Sequence, residues 1–135
     1  MKKPKPMYGI VMLVDDNEID NMINQKMLES INFAEKYYVY TSGKSALDFL
    51  ENLVGDSSAA DVIPDLILLD INMPLMDGFQ FLEEFATLKI KIKNKIDIFM
   101  LTTSINPSDK ERADTNGLIN KFLTKPLTVN QLSGL

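Results

Sequence analysis

The chain has 135 residues, 45% of them hydrophobic and 24% charged, with a formal net charge of −5. That is enough to bury the core of one ordinary domain without staples. It has no cysteine and no histidine, which excludes disulfides, thiolate or imidazole metal sites and Ser-His catalysis, and the acidic balance argues against direct nucleic-acid binding.

The opening "MKKPKPMYGIVMLV" pairs a basic segment with a short apolar run, as a signal peptide would. Prolines interrupt it, and "DDNE" follows where a small-residue cleavage site would stand. Residues 1–7 therefore read as a flexible leader and 8–135 as a single domain. No apolar stretch approaches the ~20 residues of a membrane span, and a cytoplasmic location is expected.

Two patterns alternate from there. "GIVMLV" (9–14) is a continuous apolar run, the mark of a strand buried on both faces. Ile19, Met22, Ile23, Met27 and Ile31 follow at helical spacing and predict one apolar stripe. Asn17 is placed to cap that helix, with Asp20 completing a capping box. "YYVYT" (37–41) predicts a second strand. A second helix follows, with Ala46, Leu47, Leu50, Leu53 and Val54 on one face, and then the polar loop "GDSSAADVIP".

"DLILLD" (65–70) is a third buried-type strand, "FQFLEEFATL" a third helix and "DIFML" (97–101) a fourth strand. Between them, "LKIKIKNK" (88–95) reads as a lysine-solvated connection. The fourth helix has Asn106 as cap, Pro107 in its first turn, Asp109 at N3 and "NG" (116–117) at its end. Its body is almost wholly polar, which predicts an exposed or loosely held helix. "LINKFLT" (118–124) predicts a fifth strand, and Thr128 and Gln131 the capping box of a short fifth helix. The eight methionines read as core filling.

The order βαβαβαβαβα predicts an α/β fold, a doubly wound five-stranded parallel sheet with helices on both faces in three layers. Sites in such sheets form beyond the carboxyl ends of the strands. There the sequence puts Asp15 and Asp16 after strand 1, Asp70 at the end of strand 3, Thr102 and Thr103 after strand 4, and Lys125 with Pro126 after strand 5. Carboxylates gathered in one cleft repel one another, and oxygen ligands without His or Cys suit Mg²⁺ or its relative Mn²⁺. A hydroxyl and a lysine opposite would hold phosphoryl oxygens. With no histidine present, a metal-flanked carboxylate becomes the candidate nucleophile for an aspartyl phosphate.

The set "LVDDNEID", "LILLDINMPLMDG", "FMLTTS" and "FLTKPL" closely resembles the receiver domain of bacterial two-component response regulators, over nearly the whole chain from Tyr8. The resemblance implies the flavodoxin-like (βα)5 fold of the chemotaxis regulator. It implies Asp70 as phosphoacceptor, and Mg²⁺ bound by Asp16, by Asp70 and by the backbone carbonyl of Asn72, with Asp15 helping through water or from behind the direct ligands. Thr102 would be the switch hydroxyl, Lys125 the phosphoryl-pairing cation, Phe122 the switch aromatic and Pro126 the residue of a cis bond. Met73, Pro74, Asp77 and Gly78 match the loop after the phosphoacceptor, where Gly78 would supply a backbone conformation that other residues resist. Thr103 stands where the family has a very small residue, so its β-branched side chain would narrow access to Asp70.

The implied function is acceptance of a phosphoryl group from a sensor histidine kinase or phosphotransfer protein, with self-catalysed phosphorylation and slow autodephosphorylation rather than enzyme turnover. Output would pass to a downstream protein through the face of helix 4, strand 5 and helix 5, from a monomer or a phosphorylation-dependent dimer. Two rivals stand beside this reading. A Mg²⁺-dependent phosphohydrolase would carry an aspartate two residues after its nucleophile, where this chain has Asn72. A receiver-like module that binds partners without phosphorylation would not need the full set of acidic, hydroxyl and lysine residues.

Overall fold

The computed structural model describes residues 5–53, 61–89, 95–103 and 106–133. Its strands are β1 (Tyr8–Val14), β2 (Ala34–Tyr40), β3 (Leu66–Asp70), β4 (Asp97–Thr102) and β5 (Lys121–Thr124). Its helices are α1 (Glu18–Ser30), α2 (Gly43–Leu53), α3 (Gly78–Lys89), α4 (Pro107–Thr115) and α5 (Val129–Ser133). The strands form one parallel five-stranded sheet in the order β2-β1-β3-β4-β5. The expected fold is therefore present. β2 begins three residues earlier than its aromatic run suggests, and β5 three later than "LINKFLT" suggests. Val54, part of the polar loop (55–60) and most of the lysine-rich connection (90–94) lie outside the described residues. Lys95, at the end of that connection, is exposed and pairs with Asp97 at 3.8 Å. No helix among the described residues is long and apolar enough to cross a membrane.

Alternation along the strands builds two cores. Met12, Val14, Ile67, Leu69, Ile98 and Met100 pack on one face with α2 and α3, including the stacked rings of Phe81 and Phe85. Val11, Leu13, Leu66, Leu68, Phe99 and Leu101 pack on the other with Leu28 of α1 and Leu132 of α5. This explains the unbroken apolar runs, because each residue of a central strand is covered whichever way it points.

α1 departs from the predicted pattern. The first half of its stripe is turned outward, with Ile19 63%, Met22 51% and Ile23 48% exposed, while Met27 and Ile31 are partly buried against the core. The buried face is Asn21, Asn24 and Leu28. The cause is the strand ends beneath it. Asn21 donates from Nδ2 to the carbonyl of Asp15 at 2.9 Å and to that of Tyr40 at 3.4 Å. The Tyr40 carbonyl also accepts the Asp15 N–H at 3.1 Å, but the Asp15 carbonyl, just past the end of β1, takes its donor from Asn21, and an apolar side chain there would not supply one.

α4 matches its punctuation. The Asn106 side chain accepts from the Ser108 N–H at 2.9 Å, and Pro107 occupies the first turn. Only Ala113 of this helix is buried, while the Arg112 guanidinium lies 3.9 Å from the centre of the Phe79 ring on α3. In α5 the Gln131 N–H donates to Thr128 Oγ1 at 3.2 Å. The Gln131 amide also reaches β5, accepting the Thr124 N–H at 3.1 Å and donating to the Thr124 carbonyl at 3.1 Å.

Candidate functional site

Strand register brings the predicted residues to one edge. Val14 pairs with Leu69, Asp70 with Leu101, and Thr102 with Thr124. Asp15, Asp70, Thr102 and Lys125 therefore leave the sheet at nearly the same level. The strand order reverses between β1 and β3, which opens a crevice at that edge.

Asp15, Asp16 and Asp70 each offer a carboxylate oxygen within 4.8 Å of the others. Asp15 and Asp70 are buried and Asp16 is exposed. Both oxygens of Asp15 have protein partners. One accepts the Asn17 N–H at 2.9 Å, and the other accepts from the Lys125 ammonium. Asp70 accepts the Asn72 N–H at 3.4 Å and lies 3.3 Å from Lys125 Nζ. This all-oxygen donor set fits a hard divalent cation such as Mg²⁺.

Charge is crowded at this edge. Burial, and then the charge of Asp15, push the Asp70 carboxyl up to about 6 against the pull of Lys125. The Lys125 side chain is only 8% exposed. Its burial lowers proton affinity, but the hydrogen bonds to Asp15 and Asp20 and the charge of Asp70 outweigh it and hold the ammonium at about 12.

The remaining predicted residues fall around this cluster. Thr102 is buried at the end of β4, and its carbonyl accepts the Lys125 N–H at 2.8 Å. Phe122 is half-buried against the core under α2 and α3. The Lys125–Pro126 bond is cis, as the resemblance implied. Thr103 is exposed and lines a cleft of about 180 Å³ with Asp20, Ile23, Asn24, Lys125 and Pro126. Asn72 is exposed, and Met73 is buried in the core.

Two expectations change. Gly78 is required for space, not for an unusual backbone conformation. A Cβ there would meet the Asp70 carbonyl oxygen at 2.8 Å and Ile71 Cα at 3.0 Å. The left-handed residue of that loop is the exposed Leu75, at φ 69°. Asp77 and Gln80 exchange side-chain-to-backbone bonds of 2.8 and 2.9 Å, a reciprocal box at the start of α3.

The second change concerns Asp20. Asn17 does cap α1, accepting from Ile19 N–H at 2.9 Å and Asp20 N–H at 3.1 Å. The return bond of a capping box is missing, because Asp15 takes the Asn17 N–H. The Asp20 carboxylate turns instead to the Lys125 ammonium at 3.1 Å. Sequence reasoning gave Asp20 a local role only. The one clue was an acidic residue a single turn beyond "DD" on the helix that overhangs the site.

The family described as the response regulator receiver domain matches residues 11–134. Two-component response regulator 24 of Arabidopsis thaliana is 34% identical over 121 residues, covering 90% of this chain and 76% of that protein. The crystal structure of a two-component response regulator from Cytophaga hutchinsonii superposes with a TM-score of 0.84 at 30% identity, over 97% of this chain and 94% of that one. The receiver domain of the histidine kinase CKI1 from Arabidopsis thaliana, complexed with Mg²⁺ and BeF₃⁻, superposes with a TM-score of 0.79 at 25% identity, over 93% of this chain and 85% of that one. The match runs through every strand of the sheet and through each turn that carries the acidic cluster, and the chain belongs to the response regulator receiver domain family.

Proposed function

We propose that Asp70 is the phosphoacceptor and that this receiver domain takes its phosphoryl group from a histidine kinase or phosphotransfer protein. One observation carries the reading: Asp15, Asp16 and Asp70 offer carboxylate oxygens within 4.8 Å of one another at the carboxyl edge of the sheet, and two of them, Asp15 and Asp70, share the ammonium of Lys125. That cluster has more negative charge than its own donors balance. Asp16, Asp70 and the Asn72 carbonyl would hold Mg²⁺, with Asp15 behind them, its oxygens already engaged by Asn17 and Lys125. Bound there, the ion supplies positive charge that the protein lacks toward the transferring group. The CKI1 receiver domain with Mg²⁺ and BeF₃⁻ supports this assignment.

An Asp70 oxygen forms the new bond to phosphorus as the donor's P–N bond breaks, and the donor imidazole keeps that bond's electron pair. Lys125 offsets charge on the phosphoryl oxygens. The Thr102 hydroxyl then turns toward the phosphoryl group, and Phe122 moves with it. The surface of α4, β5 and α5 passes the change to a downstream protein or a second copy. α4 suits this, with one buried residue to hold it in place. The outward face of Ile19, Met22 and Ile23 beside the cleft supports a protein donor rather than a small molecule alone. Slow hydrolysis of the acyl phosphate by the same pocket resets the domain.

Mass spectrometry after exposure to acetyl phosphate and Mg²⁺ tests the assignment. The expected product is one phosphoryl adduct on Asp70. No adduct, or an adduct that survives Asp70→Asn, overturns it.

A further inference from the structure

We propose that Asp20 is a positioning residue for Lys125, a releasable anchor that competes with the phosphoryl group for the ammonium. The inference rests on the assignment of Asp70 as phosphoacceptor and adds a residue that regulates the same site.

An ammonium has three donors, and here three carboxylates surround it. Asp15 accepts from it, Asp20 lies at 3.1 Å and Asp70 at 3.3 Å. A phosphoryl group on Asp70 takes over the donor that Asp70 now holds and presents further oxygens beyond it, so drawing the ammonium outward to them loosens one of its two other partners. Asp15 is held in place by the Asn17 N–H and is almost fully buried. Asp20 has a side chain 32% exposed, at the cleft it shares with Thr103 and Pro126. Water can replace the lysine at Asp20 with little loss, whereas a freed Asp15 would be a buried charge without a partner.

The local chemistry of α1 points the same way. Asp20 stands at the capping-box position, and its return bond to Asn17 would satisfy a helix donor. Asp15 supplies that acceptor instead, which leaves the Asp20 carboxylate to cross from the helix to Lys125, just past the end of β5. The helix donor is satisfied either way, so what distinguishes Asp20 is that its carboxylate meets a residue of the site, where departures from local pairing are expected to fall. Asp20 then draws the ammonium toward α1 before phosphorylation and yields it to the phosphoryl oxygens afterwards. It also places a negative charge where an anionic phosphodonor arrives.

The test compares the wild type with Asp20→Asn, Asp20→Ala and Asp20→Glu by calorimetric titration with beryllofluoride in saturating Mg²⁺. Adduct formation with acetyl phosphate is followed in parallel. Asp20→Asn and Asp20→Ala are expected to bind beryllofluoride about two- to fivefold more tightly, the range of a partly exposed ion pair, and to form adduct faster by a similar factor. Asp20→Glu is expected to stay nearer the wild type. In the metal-free protein, the Lys125 ammonium NMR signal should weaken in Asp20→Asn through faster exchange with water. A purely structural role would lower affinity, so the direction of change separates the two. Unchanged or weaker beryllofluoride binding in Asp20→Asn, with normal phosphorylation of the wild type on Asp70, overturns the role of Asp20 alone. A wild type that takes neither beryllofluoride nor a phosphoryl group overturns the phosphoacceptor reading and this inference with it.

Discussion

Aspartates sit at both ends of this sheet, and the two ends handle them differently. At the amino edge each carboxylate has its own donor. Asp65 accepts the Ile10 N–H at 2.9 Å, and Asp97 accepts the Tyr8 hydroxyl at 3.2 Å and pairs with Lys95 at 3.8 Å. Burial, and then the charge of Asp97, raise Tyr8 to about 12, so it stays a donor. At the carboxyl edge Asp15, Asp16 and Asp70 crowd together, and Asp15 and Asp70 share Lys125. Local pairing at one edge fastens β1 to its neighbour β3 and, past it, to β4, and unbalanced charge at the other makes a site. Counting aspartates would not tell the edges apart, whereas asking which of them crowd together around one shared cation does.

The largest expected effect comes from removing the shared cation. Lys125→Met should cost about 3 kcal/mol in the metal-free protein at neutral pH, because buried carboxylates lose their partner. The raised pKa of Lys125 means that its contribution is complete below 10.5 and is lost as the pH rises through about 12. Urea unfolding measures this, and Mg²⁺ should restore part of the loss. Equal stability of variant and wild type would remove the charge argument for this edge.

Next is the opposite manipulation. Asp70→Asn should stabilise the metal-free protein by on the order of 2 kcal/mol at neutral pH. A carboxyl raised from 3.8 to about 6 binds its proton more tightly when folded. The wild type is therefore favoured at low pH and loses that advantage as the pH rises through the 3.8-to-6 window. The gap between variant and wild type should close below that window, and Mg²⁺ should narrow it at neutral pH. A destabilised Asp70→Asn would mean that the site is already balanced.

At the amino edge the sign reverses. Asp65→Ala should cost about 1 kcal/mol by leaving the Ile10 N–H without its acceptor, with phosphorylation of Asp70 unchanged. A loss of phosphorylation without a loss of stability would break the division between the edges. The smallest effect is expected at α4. Arg112→Ala should cost about 0.5 kcal/mol, an exposed cation–π contact, and should be read by hydrogen exchange over residues 107–115. Faster exchange there with little global loss would show how thinly this helix is fastened beside the site.

What the sequence determined by itself was whatever depends on neighbours along the chain. Apolar runs fixed the buried strands, Asn106 and Pro107 fixed the start of α4, and the places of Asp15, Asp70, Thr102 and Lys125 at strand ends fixed the candidate site. The periodicity of α1 misled, because hydrophobic spacing identifies a helix without saying which face turns inward. That choice belonged to the carbonyls of Asp15 and Tyr40, which took the amide of Asn21 and turned Ile19, Met22 and Ile23 to solvent. Gly78 likewise looked like a conformational need and proved to be one of space, set by the Asp70 backbone packed against it. The Asp20–Lys125 contact joins residues 105 positions apart. Local spacing assigned Asp20 to its own helix, and only the folding of β5 beside β4 brought it a stronger, charged partner.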